Sequence, residues 1–206
     1  MKRLTDQRPD LTELRRVHRL DKETSGIMLL TRNRHTQSIL SRAFTSRLID
    51  KTYLALVSGY VADPKRTIKV PLARSRREPH KMAIDPRRGK PAVTKYQVLA
   101  DFGLLSLLAV RLITGRTHQI RIHMSHLGLP LAIDPLYGDT RPILLSDVKT
   151  NYRRKPDREE TPLIDRLTLH AYSLHMPEIE GLPERTFVAP LDKKMAAAVK
   201  MLAKHN

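Results

Sequence analysis

The spacing of apolar positions along the chain predicts a few helices among a larger number of strands. The segment "RHTQSILSRAFTSRLI" places its apolar side chains on one helical face and its arginines on the other. In contrast, "KTYLALVSGYV" alternates apolar and polar positions as a strand does, through Tyr53 and Val57, and stops at Gly59. "AVTKYQVLADFG" and "LLSLLAVRLI" predict two paired strands joined around Phe102 and Gly103.

Weaker patterns cover the segments between these elements. Residues 1–17 carry a weak helical pattern, and the apolar run "GIMLLTRN" is suited to a short buried strand. Four prolines between residues 62 and 90 exclude a long helix there, so we expect two short extended pieces with charged loops. The polar, charged stretch 139–162 is expected to be a surface loop.

The C-terminal part of the chain returns to regular elements. "LIDRLTLHAYSLHM" and "RTFVAP" read as strands, and "LDKKMAAAVKMLAKHN" as a terminal helix with lysines toward its end. The sum is an α+β fold with a mixed, mainly antiparallel sheet and flanking helices. There are no repeats and no clear linker, so residues 1–206 are expected to form one domain.

The charge balance points to a polyanionic partner. The chain has 38 Lys and Arg against 21 Asp and Glu, a net charge of +17. Nucleic acid is the commonest polyanion for such a surface to bind, although a basic proteome or a membrane surface would also explain it. With three Phe, six Tyr and no Trp, an aromatic platform for single-stranded bases is not expected.

Several protein classes are disfavoured by what the sequence lacks. No run of 18 apolar residues suggests a transmembrane helix, and the charged start lacks the apolar core of a signal peptide. We therefore expect a cytoplasmic protein. The absence of cysteine excludes disulfides, cysteine-ligated zinc and thiol nucleophiles.

In the stretch "RVHRLDKETSG", the Asp21 carboxylate lies among the basic residues Arg16, His18, Arg19 and Lys22. A carboxylate nucleophile must stay ionised in a mostly dry pocket, and an adjacent guanidinium favours that ionised form. Arg116 and Arg121 are the candidate partners, because a planar guanidinium can hold a carboxylate through two hydrogen bonds. Equally, Asp21 could form a plain salt bridge or cap a turn through Thr24 and Ser25. Residue types alone leave both interpretations open.

A second distinctive stretch is "GRTHQIRIHMSHLGLPLAIDPLYG", residues 115–138. Thr117 is expected to cap a helix that begins near His118, after a tight turn at Gly115. Gly128 suits the end of that helix. The final "DPLYG" reads as a turn.

Three histidines of this stretch require two further interpretations to be weighed, a metal site and a ribonuclease active site. His118, His123 and His126 do not converge on one side of a helix, so hydrogen-bonded structural roles are favoured over a metal site. A ribonuclease would need two histidines, or a histidine and a glutamate, placed across a phosphate as acid and base. Nine histidines make such a pair conceivable, yet no local pattern indicates one.

Together, the two stretches resemble the signatures of the RluA-type pseudouridine synthases, in the family's order. Weaker similarities support this: "KTYLALVSG", "GKPAVTKYQV", "RLTLHA" and "FVAP". The resemblance implies the catalytic-domain fold of that family and an enzyme that isomerises uridine to pseudouridine in structured RNA, rRNA or tRNA. It also implies no cofactor, no metal, no obligatory protein partner and a monomer. The alternative is a catalytically silent RNA-binding protein, or chaperone, on the same fold.

The resemblance also assigns roles to individual residues. Asp21 would be the catalytic aspartate, attacking or stabilising the ribose C1′, and Arg121 would pair with it. Tyr53 would stack against the target base and is a candidate base for the C5 proton. Leu169 would pack against Tyr53 and the base. Arg19 would enter the RNA to help displace the target nucleotide.

Other residues are expected to hold RNA or to shape the site. Arg116 is assigned to site architecture or to a phosphate contact, and the side chains of His18, Thr24 and Ser25 to fixing the Asp21 loop. A basic loop is either an arm that contacts phosphates or a solvated charged turn, and both remain open; its cations are Arg74, Arg76, Arg77 and Lys81.

One departure from the family pattern concerns the N-terminus. Family members usually carry a preceding segment with an "NKP-x-G"-like strand, and some carry an S4-type RNA-binding domain. Neither pattern is found before His18, so the expectation is a catalytic domain without them.

Overall fold

The computed structural model describes residues 13–149, 151–153 and 157–205. The strands of this part are β1 (Arg15–Arg16), β2 (Ser25–Gly26), β3 (Leu30–Thr31), β4 (Asp50–Ser58), β5 (Lys65–Lys69), β6 (Leu72–Arg74), β7 (Met82–Ile84), β8 (Val93–Asp101), β9 (Leu105–Leu112), β10 (Leu169–Met176) and β11 (Arg185–Val188). The helices are α1 (Arg34–Thr45), α2 (Gln119–His126), α3 (Leu145–Val148) and α4 (Lys193–His205).

A seven-stranded sheet organises the molecule. Six strands follow the order β11-β10-β4-β9-β8-β5 with every neighbouring pair antiparallel, and β2 adds a short parallel pairing to β10. Two small antiparallel pairs, β1-β3 and β6-β7, lie outside it. The predicted α+β fold with a mainly antiparallel sheet is confirmed.

Both faces of β4 are covered, which explains why its residues 53–57 are all buried. One face joins α2 in an apolar cluster that includes Tyr53, Ala55 and Met124. The other face contributes Leu54 and Leu56 to a second cluster with α4. Burial on two sides fixes the register of this strand, because a shift of one residue would exchange the two faces.

Helix α1 forms as its amphipathic pattern predicts. The Asn33 side chain caps its start by accepting a hydrogen bond of 2.8 Å from the Thr36 N–H. Ile39, Leu40 and Ala43 are buried in a third cluster against the far end of β10. This packing holds the C-terminal end of α1 beside the start of β4.

The N-terminal predictions were only partly right. The "GIMLLTRN" segment holds a strand of two residues, β3, because Gly26 already pairs with β10 and the chain then crosses over to pair with β1. The weak helical pattern of residues 1–17 was wrong at Arg15–Arg16, which form β1; residues 1–12 lie outside the described residues.

Two later segments are more structured than expected. Residues 62–90 hold three strands, β5, β6 and β7, where two extended pieces were predicted. The described part of 139–162 is more than a surface loop, because it contains α3 and a buried Ile143 that bridges to Ile164. That apolar pair anchors the insert to the second cluster.

Candidate active site

A cavity of about 430 Å³ lies where the Asp21 loop, the end of α1, β4 and the start of α2 meet. Five residues singled out in the sequence line it: Arg19, Asp21, Tyr53, Arg116 and Leu169. Arg121 lies behind Asp21, with its Nη1 4.0 Å from Asp21 Oδ2. The fold therefore brings together residues that are up to about 150 positions apart in the chain.

The Asp21 loop is fastened to the sheet by backbone contacts. Gly26 has φ +106° and pairs with Ala171, whose carbonyl oxygen would lie only 2.2 Å from a Cβ at position 26. The Ile27 N–H donates to the same Ala171 oxygen at 2.9 Å. Ala171 in turn pairs with Tyr53 on its other side. Ala171 of β10 therefore pairs with both the Asp21 loop and Tyr53, and this fixes their positions relative to each other.

Side chains hold the loop as well. His18 Nε2 accepts a hydrogen bond of 2.9 Å from the Leu29 N–H, and its ring stacks on Phe44 at 4.5 Å. Burial, and then the charge of Lys51, lower the pKa of His18 to about 4, which keeps Nε2 free to accept. Ser25 Oγ bonds to His170 Nδ1 at 2.9 Å. The predicted role in fixing the loop is met by both side chains.

Thr24 departs from that prediction. Its hydroxyl is buried and finds no hydrogen-bond partner among the described residues. The residue contributes through its backbone instead, because its N–H donates to the Asp21 carbonyl at 3.0 Å. This contact closes the turn that presents the Asp21 carboxylate.

Arg121 is shared unequally between two carboxylates. Its Nε and Nη2 donate to Asp134 at 2.8 and 2.5 Å, and both residues are buried. The Leu136 and Tyr137 N–H groups also donate to Asp134. Burial lowers the pKa of Arg121, but the Asp134 hydrogen bonds and charge, with that of Asp21, raise it overall. Sequence reasoning missed Asp134, since "DPLYG" reads as an ordinary turn.

His118 is the residue immediately before α2 and has an unusual backbone conformation. Its φ is +53°, and it makes no side-chain cap. Thr117 was the predicted cap and Gly115 the predicted turn residue; both assignments were wrong. The turn closes on Gln119, whose Oε1 accepts from the Arg116 N–H at 3.0 Å. The left-handed residue is therefore a histidine that faces the cavity.

A chain of polar contacts runs through His118. The Met82 N–H donates to Tyr137 Oη at 2.8 Å, and that hydroxyl lies 2.8 Å from His118 Nδ1. His118 Nε2 is 4.0 Å from Asp21 Oδ1. Burial is the largest cause that lowers the pKa of His118, so the ring is neutral near pH 7. The contacts connect β7 with the Asp21 carboxylate.

The other histidines of this helix are structural or exposed. His123 is fully buried and bonds to Thr94 Oγ1 at 2.9 Å and the Val70 carbonyl at 3.0 Å. His126 is exposed. In the described part of the chain, no three His, Cys, Asp or Glu side chains gather as metal ligands.

Tyr53 and Leu169 form the apolar floor of the cavity. Both are buried members of the first cluster and both line the cavity. Burial, and then the negative charge of Asp21, raise the pKa of Tyr53 well above its usual value. Tyr53 is therefore a neutral phenol when the cavity is empty of substrate.

Cations dominate the rim of the cavity. Arg19 is exposed, while Arg116 is steadied by a 3.2 Å hydrogen bond from its Nε to the Pro91 carbonyl. Arg47 and Lys51 also line the cavity and were missed from the sequence. For Lys51 a signal existed: it precedes Tyr53 by two positions, so strand alternation puts both on one face.

The basic loop lies away from the cavity lining. Arg74, Arg76 and Arg77 are exposed on the β6–β7 hairpin, and Lys81 pairs with Glu78 at 2.8 Å. The hairpin still contacts the site through one hydrogen bond. Met82, which directly follows this loop, donates its N–H to the Tyr137 hydroxyl. Its cations stay a prediction for RNA contact.

Comparisons with known proteins agree on the family. A family model described as RNA pseudouridylate synthase matches residues 2–126, more than half of the chain. An uncharacterized RNA pseudouridine synthase of Chlorobaculum parvum is 38% identical over 199 residues, covering 94% of this chain and 60% of that protein. The chain belongs to the RNA pseudouridylate synthase family, as the two signature stretches predicted.

Two further relatives extend the comparison. Ribosomal large subunit pseudouridine synthase D of Nitrosomonas europaea is 34% identical, covering 97% of this chain and 55% of that protein. The solved structure of human RNA Pseudouridylate Synthase Domain Containing 1 matches with a TM-score of 0.72 at 28% identity, covering 98% and 84% of the two chains. The chain thus spans about 40 to 60% of the length of the first curated relatives it matches.

The helices were also compared with the length and hydropathy that a membrane span requires. Within the described residues, no helix is long and apolar enough to cross a bilayer.

Proposed function

We propose that this protein isomerises uridine to pseudouridine in structured RNA. The observation that carries the proposal is the position of Asp21, a single carboxylate in a cation-rimmed cavity, 4.0 Å from Arg121 and above Tyr53 and Leu169. Membership of the pseudouridylate synthase family supports it. Because the name of the Nitrosomonas relative refers to the ribosomal large subunit, rRNA is the first substrate to test, with tRNA as the alternative.

The first chemical step breaks the glycosidic bond. In our proposal Asp21 Oδ attacks the ribose C1′, the N1–C1′ bond breaks, and its electron pair leaves with the uracil N1. The attack requires an ionised carboxylate, which Arg121 favours as the nearest guanidinium. Arg121 can stay in place during the step because Asp134 holds it through two hydrogen bonds.

The second step joins the turned base through C5. The uracil rotates on the floor formed by Tyr53 and Leu169, C5 attacks C1′, and the C1′–Oδ bond breaks to restore the Asp21 carboxylate. The proton on C5 leaves and N1 gains one, which completes the isomerisation. Burial and the Asp21 charge keep the Tyr53 phenol protonated, so it must give up its own proton before it can accept one. In our proposal that proton goes to N1 of the turned base, and the resulting phenolate takes the proton from C5, which leaves Tyr53 neutral again.

The target uridine must leave its stack to reach Asp21. Extrusion costs roughly a few kcal/mol, and phosphate contacts made elsewhere on a basic surface offset part of it. Arg19 is an exposed cation two positions before Asp21 and lines the cavity, which suits the predicted role in displacing the nucleotide. The proposal includes a monomeric enzyme, as the family resemblance implies.

The test is tritium release from RNA labelled with 5-³H-uridine, using large-subunit rRNA and tRNA transcripts. We expect release by the wild type and none by Asp21→Asn, with RNA affinity nearly unchanged in the variant. Equal release by both proteins would contradict the role of Asp21. Tight RNA binding without release by the wild type would favour the catalytically silent RNA-binding alternative, and cleaved RNA on a gel would favour a ribonuclease.

A further inference from the structure

We propose that Arg47 and Lys51 form a subsite for a phosphodiester of the RNA, next to the nucleotide whose base enters the cavity. Both line the cavity wall made by the end of α1 and the start of β4. The inference rests on the proposed function in one respect, since it takes the ligand to be a polynucleotide. Two independent features of the folded chain carry it.

The first feature is a half-buried cation without an anion. The Lys51 ammonium lies 5.8 Å from the centroid of the Phe44 ring and close to Gly115. Among the described residues no carboxylate pairs with it, and the charge that acts on it most is the like charge of Arg47. Burial, and then the Arg47 charge, lower the pKa of Lys51. A buried charge of this kind is normally paired, so the empty position opposite it suits a ligand anion.

The second feature is the backbone of Arg47. Helix α1 ends in the hydrogen-bond pattern that usually requires glycine: the Arg47 N–H bonds to Phe44 O at 3.3 Å, and the Leu48 N–H bonds to Ala43 O at 3.0 Å. Arg47 fills the glycine position with φ +61°. A side chain there strains the backbone. Such strain persists most often at functional sites, and here it coincides with the unpaired lysine.

The position of the pair relative to Tyr53 identifies the phosphate. Lys51 and Tyr53 are two residues apart on one face of β4, which is about 7 Å along a strand. A phosphate attached to the nucleotide whose base packs on Tyr53 falls within that reach. The carboxylate among the lining residues, Asp21, lies within 4.0 Å of His118 and Arg121 and makes no ion pair with Lys51. The Lys51 ammonium is therefore left to a ligand anion.

The experiment measures RNA affinity, turnover and thermal stability on the same variants. Lys51→Met and Arg47→Gly should each raise KM for RNA about tenfold, the effect of one charge-assisted hydrogen bond, with kcat nearly unchanged. Each should also reduce the slope of log Kd against log salt by about 0.7–0.9. Neither should lower the melting temperature, because one removes an unpaired charge and the other removes strain. Lys51→Arg keeps the positive charge, so its affinity for RNA should stay close to that of the wild type.

A matched control separates this subsite from general charge effects. Lys200→Met removes one charge from an exposed position on α4, which packs on the opposite face of the sheet, and it should leave KM unchanged. A lower melting temperature with unchanged KM in Lys51→Met would overturn the proposal, as would an equal loss of affinity in Lys200→Met.

Binding measured in the Asp21→Asn background keeps the two proposals apart. If the wild type released no tritium but Lys51→Met still weakened RNA binding, the subsite would stand and the proposed activity would fail. If tritium release were normal and binding were unaffected by either substitution, the activity would stand and the subsite would fail.

Discussion

Arg121 makes its two short contacts with Asp134, at 2.8 and 2.5 Å, and lies 4.0 Å from Asp21. The buried pair thus serves as a support from which the guanidinium faces the carboxylate of the cavity. Asp134→Asn should destabilise the fold by about 3–5 kcal/mol, because it leaves a buried guanidinium without its anion. Urea unfolding checks this. A loss below 1 kcal/mol would show that Arg121 is not held mainly by Asp134.

Removing both partners separates folding from catalysis. The double variant Arg121→Met with Asp134→Leu should regain part of the lost stability, since apolar residues often replace a buried ion pair at little cost. The recovery is partial because the Leu136 and Tyr137 N–H groups lose their acceptor. The variant should still lose nearly all tritium release. A folded double variant with normal activity would rule out Arg121 as the partner of Asp21.

Tyr53→Phe tests what the phenol contributes. Since burial and the Asp21 charge raise the Tyr53 pKa, its hydroxyl stays protonated until chemistry begins. We expect a drop in single-turnover rate of at least about a hundredfold, a usual size for lost acid–base catalysis, with RNA affinity nearly unchanged. Equal rates for both proteins would reduce Tyr53 to a packing role.

Tyr137→Phe tests the polar contacts that reach Asp21. The Met82 N–H donates to Tyr137 Oη, which leaves the hydroxyl proton for His118 Nδ1 and directs the Nε2 proton toward Asp21. Without the hydroxyl this tautomer is no longer selected. We expect kcat to fall about tenfold, the value of one such contact, at unchanged KM.

The pH–rate profile decides whether that effect is specific. The charged groups that act on His118 at this end of the cavity are Asp21, Arg121, Asp134 and Arg19. None of them changes in Tyr137→Phe, so a displaced acidic limb would report the histidine contact. Tyr60→Phe, at a residue 71% exposed, is the matched control. Lower stability with an unchanged profile would indicate a structural role alone.

His18 makes folding sensitive to acid. The unfolded chain protonates this residue near pH 6.5, whereas the folded protein does so near pH 4. Between these values the unfolded state binds more protons, so stability falls as the pH falls. The contribution is on the order of 1–2 kcal/mol once partial solvent screening is allowed for.

His18→Gln keeps an acceptor for the Leu29 N–H and removes the titration. Urea unfolding at pH 7, 5.5 and 4.5 should show a shallower acid dependence in this variant than in the wild type. His118 and His123 titrate in both proteins and cancel in the comparison. Parallel curves would exclude the His18 contribution.

The periodicity of the chain was enough to predict the main strands of the sheet but not all of the pairings between strands. The Tyr53 strand and α1 follow from local alternation and amphipathicity, which tertiary packing then reinforces. In contrast, β3 is cut short by the pairing of Gly26 with β10, and that contact spans almost 150 residues. No local pattern encodes it.

The site residues divide in the same way, into those that the sequence indicates and those that only the folded chain reveals. Asp21 and Arg121 were assigned from the two family-like stretches, whereas Asp134 is hidden in a turn that reads as an ordinary one. Lys51 and Arg47 look like ordinary surface cations in a chain of net charge +17. Only the folded chain shows that one is half-buried and the other strained.

Ala171 pairs with Gly26 on one side and Tyr53 on the other, and this arrangement makes a single residue the common reference for both halves of the site. The Asp21 loop and the apolar floor keep their separation because both pair with the same backbone residue of β10. Side chains around the cavity can therefore diversify to suit different RNAs without changing that separation. An insertion within β10 before Ala171 would turn Leu169 to the opposite face and misalign the two halves at once.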